Sequence, residues 1–201
     1  MARLDSPPQV FLSQSGSNYY GDAGQQVLRE DAPAGEGILA GICADWEAAA
    51  HQAPAGVRVV TPRTGVVLSR SGGALGKLLP LLRLGLGGPL GNGRQRWPWI
   101  TLPDVAGGFE FLLTAPLAGP VNLCAPESVD VKSLINGLAA ALHRPALLPV
   151  PAPLLRLAMG QLANELLLAS QRMEPAALAG AGFQWQHATL SEAAAWVASG
   201  R

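Results

Sequence analysis

Residues 10–21 read VFLSQSGSNYYG, and they decide the fold class of this 201-residue chain. Val10, Phe11 and Leu12 form an apolar run without alternation, which is typical of a parallel strand covered on both faces. Serines and glycines follow at once, so residues 13–21 are predicted to form a loop at the carboxyl end of that strand. In open α/β sheets, this edge is where ligands bind.

The segment after this loop completes a β-α-β unit. Residues 37–51 have helical periodicity, and residues 57–60 (VRVV) are predicted to form a second strand that ends at Thr61 and Pro62. The predicted apolar face of the helix consists of Leu39, Ile42, Cys43 and Trp46, with Asp45 and Glu47 outside it.

The second informative stretch, residues 91–104 (GNGRQRWPWITLPD), contains a predicted strand at 100–102 and a helix start at Pro103, capped by Thr101 or Asp104. A glycine-rich loop at 85–93 overlaps its beginning, but this loop lacks the GK[ST] ending of a phosphate-binding P-loop. The other predicted elements are an extended piece at 65–68, helices at 72–83 and from Ser128 or Asp130 to Leu142, a strand at 121–124, a leucine-rich helix that ends near Met173, and a last helical region from Glu174 or Pro175.

Composition restricts the classes of function. Lysine plus arginine equals aspartate plus glutamate at 14 each, so no basic field is available to attract nucleic acid. The most apolar stretch, residues 146–168, is interrupted by prolines and charged residues, so it is not predicted to span a membrane. Cys43 and Cys124 lack a CxxC spacing, which favours reduced thiols in a cytoplasmic protein, and the three histidines lack the spacing of a metal site.

Together these segments resemble the uncharacterised epimerase family of extended short-chain dehydrogenases/reductases, also described as nucleoside-diphosphate-sugar epimerases. Five segments carry the resemblance and cover nearly the whole chain in the order typical of the family. They are SGSNYYGD at 15–22, CADWEAAA at 43–50, RTGVVLSRSGGALGKLLP at 63–80, LGGPLGNGRQRWPWITLPD at 86–104 and ELLLASQRMEPAALAGAGF at 165–183.

The resemblance implies an α/β fold, with the rear portion of a Rossmann-type parallel sheet in residues 1–144 and a small, mainly helical C-terminal domain in residues 145–201. It also implies an NADP cofactor. The dinucleotide fingerprint of such folds, a strand followed by GxxGxxG at the start of a helix, is absent from this sequence, as is the front half of the sheet. The strand at 10–13 would then have an uncovered edge, which predicts a homo-oligomer or a partner that covers that edge.

Catalysis in the wider superfamily uses a Tyr and a Lys four residues later on one helix face, and a Ser at the end of the preceding strand. By the resemblance, Ser15 is the serine that polarises the substrate carbonyl. Ser13 and Ser17 lie close enough in sequence that a small shift of the alignment would reassign this role.

The tyrosine and lysine positions depart from the family pattern. If Glu47 aligns with the acidic residue that commonly follows the lysine by four, these positions are Leu39 and Cys43, and neither side chain can do the proton chemistry. Tyr20, or Tyr19, is then the candidate for a catalytic phenol. The alternative for both tyrosines is an aromatic side chain that packs on the loop or the cofactor.

Arg63, Thr64, Gly65 and Val66 follow the second predicted strand, and the resemblance implies that their backbone borders the nicotinamide end of the cofactor. The alternative is a strand exit at which Gly65 permits close packing.

Related enzymes often act on nucleotide sugars, which gives three further candidates for substrate binding. Lys77 and Arg94, together with Arg96, are candidates for a substrate phosphate. Trp99, beside Trp97, is a candidate for stacking on a sugar or base. The alternatives are solvated surface charges and buried aromatic side chains.

The sequence therefore predicts an epimerase/reductase-like protein of the NAD(P)-dependent extended short-chain dehydrogenase superfamily, acting on a small, nucleotide-sugar-like substrate. The alternative is a truncated, non-catalytic pseudoenzyme that serves as a binding or interaction module, because the usual tyrosine and lysine are replaced.

Overall fold

The computed structural model describes residues 6–199, and every strand pair among these residues is parallel. Strands and helices alternate along the chain, which confirms the predicted α/β class. The strands are β1 (Val10–Leu12), β2 (Ser15–Gly16), β3 (Val27–Leu28), β4 (Arg58–Thr64), β5 (Val66–Leu68), β6 (Trp99–Thr101), β7 (Gly119–Leu123) and β8 (Arg172–Met173). The helices are α1 (Ile38–Ala50), α2 (Gly73–Arg83), α3 (Leu102–Thr114), α4 (Val131–Ala141), α5 (Ala152–Met159), α6 (Ala176–Gly180) and α7 (Leu190–Ala198), with a 3₁₀ turn at Ser17–Tyr20 and a π-helical turn at Asn164–Leu168.

The central strand of the main sheet is β4, with β1 and β2 on one side and β7 on the other. Leu12 pairs with Val60 and Ser15 pairs with Arg63, so β1 and β2 form one line that is broken at residues 13 and 14. Pro62 lies opposite that break. Proline has no N–H to donate to a neighbouring strand, which accounts for the interruption.

The strand β4 is longer than predicted. The sequence pattern placed its end at Thr61 and Pro62, whereas pairing with β7 continues to Thr64, which lies opposite Leu123. Arg63 and Thr64 are therefore strand residues at the carboxyl edge of the sheet and not part of a following loop.

The strand β1 forms one edge of the main sheet. Its three residues pair with β4, and no other strand among residues 6–199 pairs with their outer side. The side chains of Val10, Phe11 and Leu12 are half-buried. This edge therefore carries unpaired backbone N–H and C=O groups beside apolar side chains.

The buried face of α1 differs from the predicted one. Ile42 and Trp46 are 40% and 57% exposed, so their placement in the core was wrong. The helix lies against β2 and β4 through small side chains and through Glu47, which the periodicity had placed outside. The residues of α1 that are buried are Ala40, Cys43, Glu47 and Ala50.

The C-terminal region is less regular than the leucine pattern indicated. A continuous helix to about Met173 was expected, but α5 ends at Gly160, whose φ of +60° is in the left-handed region. A π-helical turn and the short strand β8 follow, and β8 pairs with β3. The helix caps were predicted correctly within the stated alternatives, since Thr101 caps α3 and Asp130 caps α4.

The glycine-rich loop at 85–93 packs against the proline-rich segment that precedes α5. The N–H of Gly91 donates to the Val150 carbonyl oxygen at 2.9 Å, and a Cβ atom at Gly88 would lie 2.3 Å from the Leu148 carbonyl oxygen. The glycines here permit close approach of two backbone segments. This use of the loop supports the sequence argument against a phosphate cradle.

The core is divided between the two sides of the structure. One apolar cluster joins α2, α4 and α7 around Trp99, and a second joins the main sheet to α3 and Phe183. The helices among residues 6–199 are all too short or too polar to cross a bilayer. In this part of the chain, no group of three or more His, Cys, Asp or Glu side chains is arranged to hold a metal ion.

Candidate functional site

The candidate site lies at the carboxyl ends of β2 and β4. Ser15 pairs with Arg63 and Gly16 pairs with Thr64, so Ser15 and Thr64 lie on adjacent strands at the same edge. Ser15 is only 4% exposed, and within residues 6–199 neither its Oγ nor Oγ1 of Thr64 has a hydrogen-bond partner. A buried polar group without a partner costs about 1–3 kcal/mol, so both hydroxyls are suited to receive hydrogen bonds from, or donate them to, a bound molecule.

The helix α1 forms the wall beside Ser15. The Sγ of Cys43 lies 3.8 Å from the position that a Cβ atom would occupy at Gly16. The structure thus places the thiol that stands at the family's lysine position beside Gly16, the residue that follows the predicted serine. Cys43 is itself buried.

Leu39, at the family's tyrosine position, lines a cavity of 110 Å³ between the start of α1, the loop after β2 and the π-helical turn. Glu165 closes the cavity on the C-terminal side, and its Oε2 accepts a hydrogen bond from the Leu39 N–H at 2.8 Å. A carboxylate at a helix N-terminus is favoured by the helix dipole. The C-terminal region therefore contributes directly to the surroundings of the candidate site.

Arg63 is held by an ion pair under the candidate site. Its Nε and Nη2 donate to Oε1 and Oε2 of Glu47 at 2.9 and 2.8 Å, and the two side chains are 3% and 9% exposed. Burial alone would lower the pKa of the Arg63 guanidinium, but the hydrogen bonds to Glu47 and Tyr20 outweigh it and raise that pKa. Arg63 is thus a fixed positive charge whose side chain binds protein groups. Its predicted contact with a cofactor stays a prediction.

Tyr20 belongs to the same buried network. Its hydroxyl accepts a hydrogen bond from Nη1 of Arg63 at 2.8 Å and donates to Oδ1 of Asn122 at 2.7 Å. Burial raises the pKa of the Tyr20 phenol to about 12, although Arg63 and Asn122 partly offset this effect. A catalytic role for Tyr20 stays a prediction, and these contacts favour the alternative of a packed aromatic side chain. Tyr19 lies under the guanidinium, with 3.4 Å between the Cζ of Arg63 and its ring centroid.

The backbone of Gly65 and Val66, at the junction of β4 and β5, packs against residues 97–99. The N–H of Val66 donates to the Pro98 carbonyl oxygen at 2.6 Å, and the N–H of Gly65 donates to that of Leu123 at 3.0 Å. A Cβ atom at Gly65 would lie 2.1 Å from the Pro98 oxygen, so only glycine fits here. The close packing left open by the sequence is present. Both N–H groups bind protein carbonyls, whereas the buried Oγ1 of Thr64 has no hydrogen-bond partner in the described part of the chain.

The three predicted substrate-binding residues are not brought together. Lys77 and Arg94 are exposed, on α2 and on the loop before β6. Trp99 is 1% exposed and packs in the core cluster with α2 and α4. The roles of these residues stay predictions.

Sequence reasoning missed several groups that build the site. Glu47 was placed outside the helix face, and neither Asn122 nor Glu165 was considered. The acidic residue within CADWEAAA was a signal for Glu47, since a charged residue within an apolar helix often has a buried partner. A single sequence has no comparable signal that pairs Asn122 with Tyr20, because 102 residues separate them.

Comparison with known proteins places this geometry in a family. Residues 150–197 match a family model described as Domain of unknown function (DUF1731). The chain is 42% identical over 194 residues to Epimerase family protein Mb2239 of Mycobacterium bovis, which covers 96% of this chain and 64% of that protein. The crystal structure of human epimerase family protein SDR39U1 (isoform2) with NADPH matches at a TM-score of 0.95 and 33% identity, over 100% of this chain and 68% of that chain. The chain belongs to this epimerase family.

A further solved structure, the nucleoside-diphosphate sugar epimerase of Corynebacterium glutamicum, matches at a TM-score of 0.73 and 31% identity over 94% of this chain and 37% of that chain. These matches confirm the predicted family and the Rossmann-like fold of the NAD(P)-dependent extended short-chain dehydrogenase superfamily. The chain spans 64% of the length of the Mycobacterium bovis protein. The division at residues 144 and 145 stays a prediction.

Proposed function

We propose that this chain provides the substrate side of an NADP(H)-dependent epimerase or reductase site, in which the Ser15 hydroxyl contacts the reacting carbonyl or hydroxyl group of the substrate. The observation that carries the proposal is the buried Ser15 Oγ, which has no hydrogen-bond partner within residues 6–199 and lies at the carboxyl edge of the sheet. A hydroxyl in this position can donate to a carbonyl oxygen or accept from an alcohol.

The cofactor fits the same edge. Thr61 and Thr64 of β4 also have buried hydroxyls without a partner in the described part of the chain, and Thr64, opposite Gly16, is the one nearer the carboxyl end of that strand. We propose that Ser15, Gly16 and Thr64 border the nicotinamide, which supplies hydride transfer when NADP is bound. The human relative was crystallised with NADPH, which supports this choice of cofactor.

The proposed substrate is a small molecule of the nucleotide-sugar class, as the name of the Corynebacterium glutamicum relative suggests. The exposed side chains of Lys77 and Arg94 are able to reach a phosphate group, because neither is held in the core. Trp99 is enclosed by α2 and α4, so stacking on a sugar would require these helices to move.

A second candidate function is a binding protein without turnover. It is favoured by Leu39 and Cys43 at the tyrosine and lysine positions, and by the raised pKa of Tyr20, which keeps that phenol protonated near neutral pH. In that case, the unpartnered hydroxyls would hold a ligand without proton transfer.

The two functions are separated by an assay with NADPH and UDP-linked sugars, followed by absorbance at 340 nm and by NMR of the sugar. The enzyme proposal expects turnover that falls about a hundredfold in Ser15→Ala but less than about tenfold, or 1.4 kcal/mol, in Cys43→Ala. Loss of a thousandfold in a folded Cys43→Ala protein would make the thiol the reactive group and contradict the assignment. Ligand binding by the wild-type protein without any turnover would establish the second function.

A further inference from the structure

The C-terminal region contains a segment that packs against the loop after β2, the start of α1 and the segment before β6. We name residues 164–174 the strap, and residues 17–36, which follow β2, the site loop. The strap starts at the π-helical turn and ends just after β8, which pairs with β3 of the site loop. The whole strap lies within residues 150–197, the region that matches the domain of unknown function.

Ser170 is the main contact between the strap and the site loop. Its N–H donates to Oδ1 of Asp22 at 3.0 Å, its carbonyl oxygen accepts from the Ala23 N–H at 2.9 Å, and its hydroxyl donates to the Gly24 carbonyl oxygen at 2.6 Å. Three consecutive residues of the site loop thus bind one residue of the strap.

Gln171 continues this contact. Its Nε2 donates to the Gly21 carbonyl oxygen at 3.0 Å. Ser170 and Gln171 are both buried, whereas Asp22 and Gly24 are exposed. Because the tip of the site loop buries little of its own surface, its order depends on these hydrogen bonds.

The same two strap residues also bind the segment before β6. The Arg96 N–H donates to Oγ of Ser170 at 3.1 Å, and the Gln171 N–H donates to the Arg96 carbonyl oxygen at 2.8 Å. Arg96 lies within residues 91–104, the second stretch that carries the family resemblance. Ser170 and Gln171 therefore connect the site loop to the segment before β6.

Glu165 adds a contact at the start of the strap. It binds the Leu39 N–H of α1 through Oε2, and its carbonyl oxygen accepts from Nδ2 of Asn18 at 3.2 Å. The strap thus contacts the site loop and the start of α1, which line the 110 Å³ cavity together with Asn164, Glu165 and Ala169 of the strap, and it also contacts the segment before β6.

We propose that the strap is a positioning element, and that Ser170 and Gln171 are its positioning residues. They hold the site loop and residues 91–104 in a fixed position relative to each other. Local unfolding of either segment therefore increases the local unfolding of the other. That these segments surround a catalytic site rests on the proposed function. The coupling between the site loop and residues 91–104 does not depend on it. It gives the domain of unknown function a role at the substrate side of the site.

Residue-resolved amide hydrogen exchange of the full chain by NMR tests the coupling, with Asp22→Ala and Asp22→Asn as a matched pair. The Asn side chain keeps an oxygen that accepts from the N–H groups of Ser170 and Gly24, whereas Ala removes it. The informative amides are Ala23 and Gln171, since neither donates to the Asp22 side chain. We expect Asp22→Ala to raise exchange at both by about tenfold, and Asp22→Asn to restore the wild-type rates.

A merely local role would change only the amides of Ser170 and Gly24, and that result would overturn the proposal. A uniform rise that includes the amides of β4 would show global destabilisation and would also overturn it.

A second pair of variants keeps the inference testable if Asp22→Ala does not fold. Gln171→Ala removes the bond to Gly21, while Arg172→Ala changes its exposed neighbour at the start of β8. Faster exchange across the site loop is expected for the first variant only, and equal effects of the two would contradict the inference. If exchange responds as expected but Ser15→Ala leaves turnover unchanged, the proposed function fails while the strap retains its role.

Discussion

The guanidinium of Arg63 and the carboxylate of Glu47 form a bidentate ion pair, with both N–O distances below 3 Å and both side chains buried. The pair connects β4 to α1 directly beneath Ser15, and Arg63 also binds the Tyr20 hydroxyl. Removal of one partner from a buried ion pair destabilises the folded protein, because an uncompensated charge is left in the interior.

We therefore expect Glu47→Gln to lower the free energy of unfolding by about 3–5 kcal/mol, since the arginine guanidinium stays charged and loses its buried counter-ion. Urea denaturation measures this change. The control is Glu110→Gln on the exposed side of α3, for which a change within about 0.5 kcal/mol is expected. If Glu47→Gln lowers the free energy of unfolding by less than about 1 kcal/mol, water must solvate the Arg63 guanidinium, which would contradict the buried pair.

The Tyr20 phenol has a predictable pH dependence. Its pKa in the folded chain is about 12, above the ordinary value of about 10, so the folded state holds the proton more tightly than the unfolded state. The stability that this phenol contributes is fully present below pH 10 and is lost as the pH rises through about 12. Absorbance at 295 nm should show a late-ionising tyrosine that is absent from Tyr20→Phe. Complete ionisation of both tyrosines in the folded protein near pH 10 would refute it.

The glycine at 65 allows β4 and the segment before β6 to approach each other. A Cβ atom would lie 2.1 Å from the Pro98 carbonyl oxygen, so Gly65→Ala is expected to lower the unfolding free energy by about 1–3 kcal/mol or more. Gly41→Ala is the control, because nothing lies within 4 Å of its added Cβ and the residue is inside α1. That variant should gain about 0.5–1 kcal/mol. Thermal unfolding of both variants in parallel decides the point, and equal effects would contradict the packing described.

The outer edge of β1 is expected to promote association. No strand among residues 6–199 pairs with this edge, and its side chains are half-buried, so a second copy or a partner could add to the sheet there. Sedimentation velocity over a concentration series should show a dimer or larger species. A monomer at all concentrations, with the amides of Phe11 and Leu12 protected from exchange, would show that another group covers the edge.

The periodicity of the sequence was sufficient to locate most elements but not the inward face of α1. The bounds of this helix were predicted within one residue, yet Ile42 and Trp46 are exposed and Glu47 is buried. An apolar stripe favours burial only when no stronger contact competes. Here the ion pair with Arg63 decides which face points inward, and residues 16 positions apart carry no local sign of that pairing.

The strand β4 and the strap show a second limit. Pro62 marked the end of a strand by local rules, but pairing with β7 continues past it, because the missing N–H falls at the break between β1 and β2. The strap contacts join residues more than 70 positions apart, so no local pattern could reveal them. The position of Ser15 near the carboxyl end of a parallel strand was predicted from the strand–loop pattern, although Ser15 lies in β2 and not in the predicted loop, and its role stays a prediction.

We propose that the hydroxyls of Ser15 and Thr64 border the nicotinamide, while the pyrophosphate-binding glycine fingerprint is absent from this sequence. Titration of the ¹⁵N-labelled chain with NADPH, followed by amide chemical shifts, tests both parts at once. We expect a dissociation constant well above about 1 μM, because the glycine turn supplies much of the affinity in this fold, and we expect shift changes centred on Ser15, Gly16 and Thr64. Binding at or below about 1 μM, or shift changes confined to another surface, would contradict it.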